Sequence, residues 1–122
     1  MRFYKCNHCG NIIEMVKDVC ACVTCCGEKM SEIVPGTVEA AHEKHIPVVT
    51  INGNVVEVNV GEVNHPMIDA HYIEWVVLET NEGIYRKHLN PGAEPHVNFA
   101  IKDGENVVAA YAYCNLHGLW KK

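Results

Sequence analysis

No apolar run in this 122-residue chain approaches the length needed to cross a bilayer, so a membrane-spanning helix is excluded. No block of like charge is present either. Ten Lys and Arg against fifteen Asp and Glu give a formal net charge of -5, and a nucleic-acid-binding surface is not expected. The N-terminal residues run straight into Cys6 without the apolar stretch of a secretory signal peptide, which makes the cytoplasm the expected compartment. Internal repeats and low-complexity tracts are also lacking. Charged residues at 20% and hydrophobic residues at 48% fit a soluble globular protein rather than a disordered one. Cysteine is missing from positions 27–113 and then appears once, at Cys114.

What is present is unevenly placed. Six of the seven cysteines lie between Cys6 and Cys26. In an oxidising compartment such a cluster forms a disulfide knot; in a reducing cytoplasm it reads as a metal site. The segment up to Met30 has little apolar material to bury, so a metal must supply its folding free energy. Cys6-Asn7-His8-Cys9 is a C-x-x-C knuckle, with Gly10 permitting the backbone to bend. The second pair of thiolates has two registers open to it. Cys22 and Cys25 repeat the C-x-x-C of a zinc ribbon or rubredoxin, and spacing alone favours them. Cys25 and Cys26 are adjacent and can chelate one ion only from a turn, because neighbouring side chains on an extended strand point apart. A four-thiolate site of either register accepts zinc or iron.

Ser31 to Gly36 is a short extended linker ending in Pro-Gly turn chemistry, which places a domain boundary between 1–36 and 37–122. Residues 38–44 favour about two helical turns, stopped near His45 by Pro47. Beyond that point the pattern is that of strands. Segments 47–51 and 55–60 flank Asn52-Gly53-Asn54, and 72–80 and 84–88 flank Asn81-Glu82-Gly83, two hairpin signals. Segments 96–101 and 107–114 flank Asp103-Gly104-Glu105 and predict a third hairpin. Six short strands at this spacing predict an antiparallel β-sandwich of immunoglobulin-like size, although the Cys…Trp…Cys pattern of antibody domains is absent.

Five candidate metal ligands lie in this β region: His45, His65, His71, Cys114 and His117. All sit at element ends or in loops, where side chains can converge on one rim of a sandwich. Imidazole suits iron, zinc, copper or nickel, and one thiolate softens the set. Five ligands leave one octahedral position free for a small molecule. Any single histidine among them is more often a surface or hydrogen-bonded residue; the group carries the signal.

Together these residues have a family likeness. Glu43-Lys44-His45, His65-Pro66-Met67, His71-Tyr72-Ile73-Glu74-Trp75 and Cys114-Asn115-Leu116-His117-Gly118-Leu119-Trp120 resemble the superoxide reductase family. Cys6-x-x-Cys9 with Cys25-Cys26 resembles the desulforedoxin module that precedes this domain in the two-iron, desulfoferrodoxin class. The resemblance runs over the whole chain and implies two iron ions. Cys6, Cys9, Cys25 and Cys26 would bind the first in a distorted tetrahedron. His45, His65, His71 and His117 would lie in the equatorial plane of the second, with Cys114 axial and superoxide binding opposite it. In this family Glu43 would take that position in the oxidised state, with Lys44 beside it in the reduced state. Cys20 and Cys22 depart from the module, which does not require them. His8, His42, His88 and His96 fall outside the motifs and read as solvent or packing residues.

The implied reaction is one-electron reduction of superoxide to hydrogen peroxide, with an electron from a small donor such as rubredoxin. The implied assembly is a homodimer. The first iron would serve as electron relay or structural centre, since one-iron members of the family act without it. The alternative from a different class is a zinc-ribbon module fused to an immunoglobulin-like binding domain, without catalysis.

Overall fold

The computed structural model describes residues 1–19 and 22–122, so the expectation for Cys20 lies outside the described residues. The chain divides into two units, Met1–Val34 and Pro35–Lys122.

The first unit contains β1 (Phe3–Lys5), β2 (Ile12–Glu14), β3 (Thr24–Cys25), β4 (Glu28–Lys29) and β5 (Ser31–Glu32). Strand β1 is central in an antiparallel sheet of order β2-β1-β5, and β3 pairs with β4 as a separate hairpin. Tyr4, Cys6 and Met30 form the buried core, with Ile13, Met15, Val23 and Cys25 packed against it. So little apolar surface is below what a segment of this size needs to fold unaided. Arg2 reaches both Asp18 and Glu32 at 2.6 Å, but exposed ion pairs of this kind add little stability.

The second unit contains a single helical turn, α1 (His42–His45), and seven strands. These are β6 (Pro47–Asn52), β7 (Val55–Val60), β8 (Ile73–Thr80), β9 (Ile84–His88), β10 (His96–Ala100), β11 (Val107–Cys114) and β12 (Gly118–Lys121). They form two antiparallel sheets, of order β10-β7-β6 and β12-β11-β8-β9. Alternation decides the inward rows: Val56, Val58 and Val60 of β7 with Val97 and Phe99 of β10 face Val76 and Leu78 of β8 with Ala110, Ala112 and Cys114 of β11. Each fully buried valine or leucine contributes on the order of 2 kcal/mol. Cys114 closes its inward row, which sets its sulfur at the end of the core layer.

Three expectations need correction. The segments around Asp103-Gly104-Glu105 are not a hairpin: β10 pairs with β7 in one sheet, and β11 pairs with β8 and β12 in the other. The loop crosses between sheets, anchored by Glu105, whose carboxylate accepts hydrogen bonds from Thr80 Oγ1 at 2.5 Å and Tyr85 OH at 3.0 Å. A seventh strand, β12, follows His117; its four residues are too short to show a period of two. The helix is one turn rather than about two. Ala41 is extended, and the Gly36 N–H is held by the Leu119 carbonyl at 2.8 Å, so the stretch before α1 runs as irregular chain.

Candidate metal centres

In the first unit Cys6, Cys9, Cys25 and Cys26 bring their sulfurs within 4.8 Å of one another. The knuckle forms as the spacing requires: Cys9 N–H points at Cys6 Sγ, 3.4 Å away. The vicinal pair works because Cys26 and Gly27 form the two-residue β3–β4 turn, both at positive φ, 53° and 77°. For an L-residue the left-handed region costs on the order of 1 kcal/mol. This bend leaves Cys25 Sγ 3.9 Å from Cys26 Sγ and 3.6 Å from Cys9 Sγ. Cys22 is exposed and is not part of the group.

Cys6 and Cys26 do not ionise alike. N–H groups of Cys9 and then His8 turned toward Cys6 draw its thiol down to about 6. Cys26, crowded first by Cys9 and then by Cys25, is pushed up to about 12. Four thiolates can coexist there only around a cation. The donor set fits a tetrahedral thiophilic metal.

In the second unit the ligand atoms of His45, His65, His71, Cys114 and His117 also lie within 4.8 Å of one another. Their rings are arranged like blades around one axis. Neighbouring centroids are separated by 4.6 Å (His45–His65), 4.5 Å (His65–His71), 4.9 Å (His71–His117) and 4.8 Å (His117–His45). Each neighbouring pair is near-perpendicular, at 76° to 86°, whereas His45 and His71 across the ring are 6.2 Å apart and tilted by only 30°.

Tautomers follow from the partners. His45 Nδ1 lies 2.7 Å from the Ala41 carbonyl and His65 Nδ1 lies 2.7 Å from the Pro66 carbonyl. A carbonyl only accepts, so both Nδ1 atoms carry the proton and both Nε2 atoms present a lone pair. Those two Nε2 atoms face each other at 3.1 Å, and His45 Nε2 is 3.0 Å from His117 Nδ1. His71 Nε2 is buried with no hydrogen-bond partner. Lone pairs that converge in this way need a proton or a metal cation between them. A proton is disfavoured: burial lowers the pKa of His45 and His71 and takes His65 down to about 4. A metal cation fits.

Cys114 is fully buried, and burial raises its thiol pKa, while N–H groups of His117 and Leu116 act against that rise. Its sulfur accepts the His117 N–H at 3.4 Å and lies 3.8 Å from His117 Nδ1. Glu43 and Lys44 are exposed on α1 and lie outside the ligand group. Their charges still reach it: after the larger effects of burial, Glu43 acts on His45 and Lys44 on His71.

Two further residues position the group, and the sequence alone assigned neither of them that task. Asn115 brackets His71: its Oδ1 accepts the Tyr72 N–H at 2.9 Å and its Nδ2 donates to the Ala70 carbonyl at 3.1 Å. Gly61, at φ 86°, packs against α1 so closely that an added Cβ would lie 2.4 Å from the Val63 carbonyl oxygen and 2.7 Å from that of Glu43. The adjacent Val63 N–H donates to the Glu43 carbonyl at 3.0 Å. His8 and His88 are exposed, His96 is half-buried, and none joins either group.

Comparison with known proteins finds likeness across both units. Residues 37–122 match the Desulfoferrodoxin family model. The chain is 46% identical over 118 residues to the desulfoferrodoxin of Nitratidesulfovibrio vulgaris, covering 97% of this chain and 92% of that one. It is 44% identical over 121 residues to a desulfoferrodoxin homolog of Archaeoglobus fulgidus, covering 99% and 95%. In three dimensions it resembles the crystal structure of the superoxide reductase from Treponema pallidum, with a TM-score of 0.83, 42% identity, and 98% of this chain and 96% of that chain covered. Likeness of this extent, reaching across the cysteine cluster and the histidine ring alike, makes the chain a member of the desulfoferrodoxin family.

Proposed function

We propose that this chain is a superoxide reductase, which adds one electron and two protons to superoxide and releases hydrogen peroxide without forming dioxygen. The observation that carries the reading is the ring of four imidazoles closed by one buried thiol, with the His45 and His65 lone pairs meeting at 3.1 Å. The likeness to a solved superoxide reductase over nearly the whole chain supports it.

In this reading His45, His65, His71, His117 and Cys114 would hold one iron, and Cys6, Cys9, Cys25 and Cys26 would hold another. Iron held in the second unit would supply a one-electron couple for reducing a small anion. Four imidazoles and one thiolate around a ferrous ion would leave a net positive charge there, which would attract an anion to a chain of net charge -5. Lys44 adds a second local positive charge and presents a proton at Nζ to the reduced oxygen. Glu43 would offer a carboxylate as a replacement ligand for that iron. Cys114, protected by burial and by the His117 N–H, donates electron density from its sulfur.

The first unit, a desulforedoxin-like module, serves as electron relay or structural centre, and the sandwich is the catalytic domain. A small carrier such as rubredoxin supplies the electron, the compartment is cytoplasmic, and the chain assembles as a homodimer. A zinc-ribbon and immunoglobulin-like binding module without catalysis leaves the five-ligand group unused, and it predicts a colourless protein.

Metal analysis with an absorption spectrum of the air-oxidised protein tests the reading. Two irons per chain and two sets of thiolate-to-iron bands are expected, with Cys114→Ser removing the bands of the second unit and leaving those of the first. Zinc in both sites and no visible colour would sink the proposal.

A further inference from the structure

Separate segments bring the five-residue group together. The turn α1 carries His45, the stretch between β7 and β8 carries His65 and His71, and the β11–β12 hairpin carries Cys114 and His117. Trp120 on β12 is 1% exposed and touches two of these segments at once. Its ring lies over His45 with centroids 4.9 Å apart and planes 31° apart. Its Nε1–H donates to the His117 carbonyl at 3.1 Å. His42 meets the same indole edge-on at 5.4 Å and 67°.

These contacts add a second support to α1, which Gly61 and Val63 brace from the stretch after β7. One helical turn of four residues without a side-chain N-cap has no stability of its own. His42 and His45, three residues apart, share a face, and Trp120 meets both. The 3.0 Å approach of His45 Nε2 to His117 Nδ1 is therefore set from both sides through one indole. A residue that merely filled space would need neither the N–H donor nor the ring-on-ring contact with His45.

Resting on the metal-centre reading above, we infer that Trp120 is a positioning residue for the metal of the second unit. It fixes His45 against His117, and through His117 the setting of the Cys114 sulfur 3.8 Å away. Outer-shell partners of metal ligands typically account for 10–100-fold in metal affinity, which sets the scale of the effect. His42, which the motifs left over, is an outer support of the same platform.

The test compares the iron-loaded full chain with Trp120→Phe, Trp120→Leu and His42→Ala. Three quantities are read: the thiolate-to-iron band of the second unit, its midpoint potential, and the rate of iron release to a chelator. The first unit's iron serves as internal reference. Trp120→Phe keeps a ring but loses the donor; a shifted band and potential with roughly tenfold faster release are expected. Trp120→Leu loses both, with release faster still, and His42→Ala gives a smaller change of the same sign. Phe and Leu variants that keep the parent band, potential and release rate would overturn the inference. If the Leu variant does not fold, the Phe variant decides alone. A parent that takes up no iron in the second unit overturns the function and the inference together; a parent that binds iron while its variants match it overturns the inference alone.

Discussion

The pKa of His71 is lowered first by burial, then by the neighbouring His117, and then by the charge of Lys44, an exposed lysine on α1. A positive charge felt at the ligand group is felt by an incoming anion too. Lys44→Ala is therefore expected to slow superoxide consumption by roughly tenfold at low ionic strength and to flatten its salt dependence. Stopped-flow or pulse-radiolysis rates across a salt series measure both, and rates identical to the parent would exclude steering by Lys44. At this scale much of the site was legible in the sequence, because ligands advertise themselves by chemistry. His45, His65, His71, Cys114 and His117 carry ligand atoms, and all five converge. Asn115 and Trp120 stand in the Cys114–Trp120 motif, but their tasks were not legible, since their contacts are with backbone and rings of other residues. Nothing in an asparagine or tryptophan code distinguishes that task from ordinary packing.

Between β7 and β8 the chain has to present His65 and also brace α1, and Gly61 makes both possible. A methyl group there meets backbone on every close contact, and φ of 86° is unfavourable for any L-residue. Gly53, at φ 59° with open space around it, provides the control. Gly61→Ala is expected to lose more than about 1 kcal/mol in denaturant titration and to slow superoxide turnover, because the Glu43–Lys44 backbone must shift. Gly53→Ala should lose stability without losing rate, and equal effects on rate would show that the α1 contact is immaterial. Elements were legible where local chemistry decides them. Asn-Gly at 52–53 marked the β6–β7 turn, and the alternation in β7 marked its buried face. Pairing between distant segments was not legible: 96–101 and 107–114 look like a hairpin, yet each finds its partner in a different sheet. The turn at Cys26-Gly27, whose left-handed backbone a spacing count cannot see, gathers Cys25 and Cys26 beside Cys6 and Cys9.

Across the whole second unit, the two sheets are joined at one end by the loop that Glu105 anchors. The Thr80 hydroxyl, then the Lys102 N–H, with Tyr85 contributing less, hold the Glu105 carboxyl below its ordinary value. A depressed folded-state pKa adds stability that is present above the unfolded carboxylate range and lost as pH falls through the lower folded value. The parent should therefore melt above Glu105→Gln at neutral pH, with the gap closing as pH drops below about 4. A gap constant with pH would contradict the assigned cause. At the same scale stands the chemistry: a ring of four imidazoles and one buried thiol, assembled from segments that only the sandwich brings together. A reductase and a dismutase built on that ring differ in what they release. The decisive measurement is the amount of hydrogen peroxide formed per superoxide consumed by the iron-loaded chain with a reductant present. The account predicts one peroxide for each superoxide and no dioxygen evolved; one peroxide for every two superoxide, with dioxygen released and no reductant consumed, would contradict it.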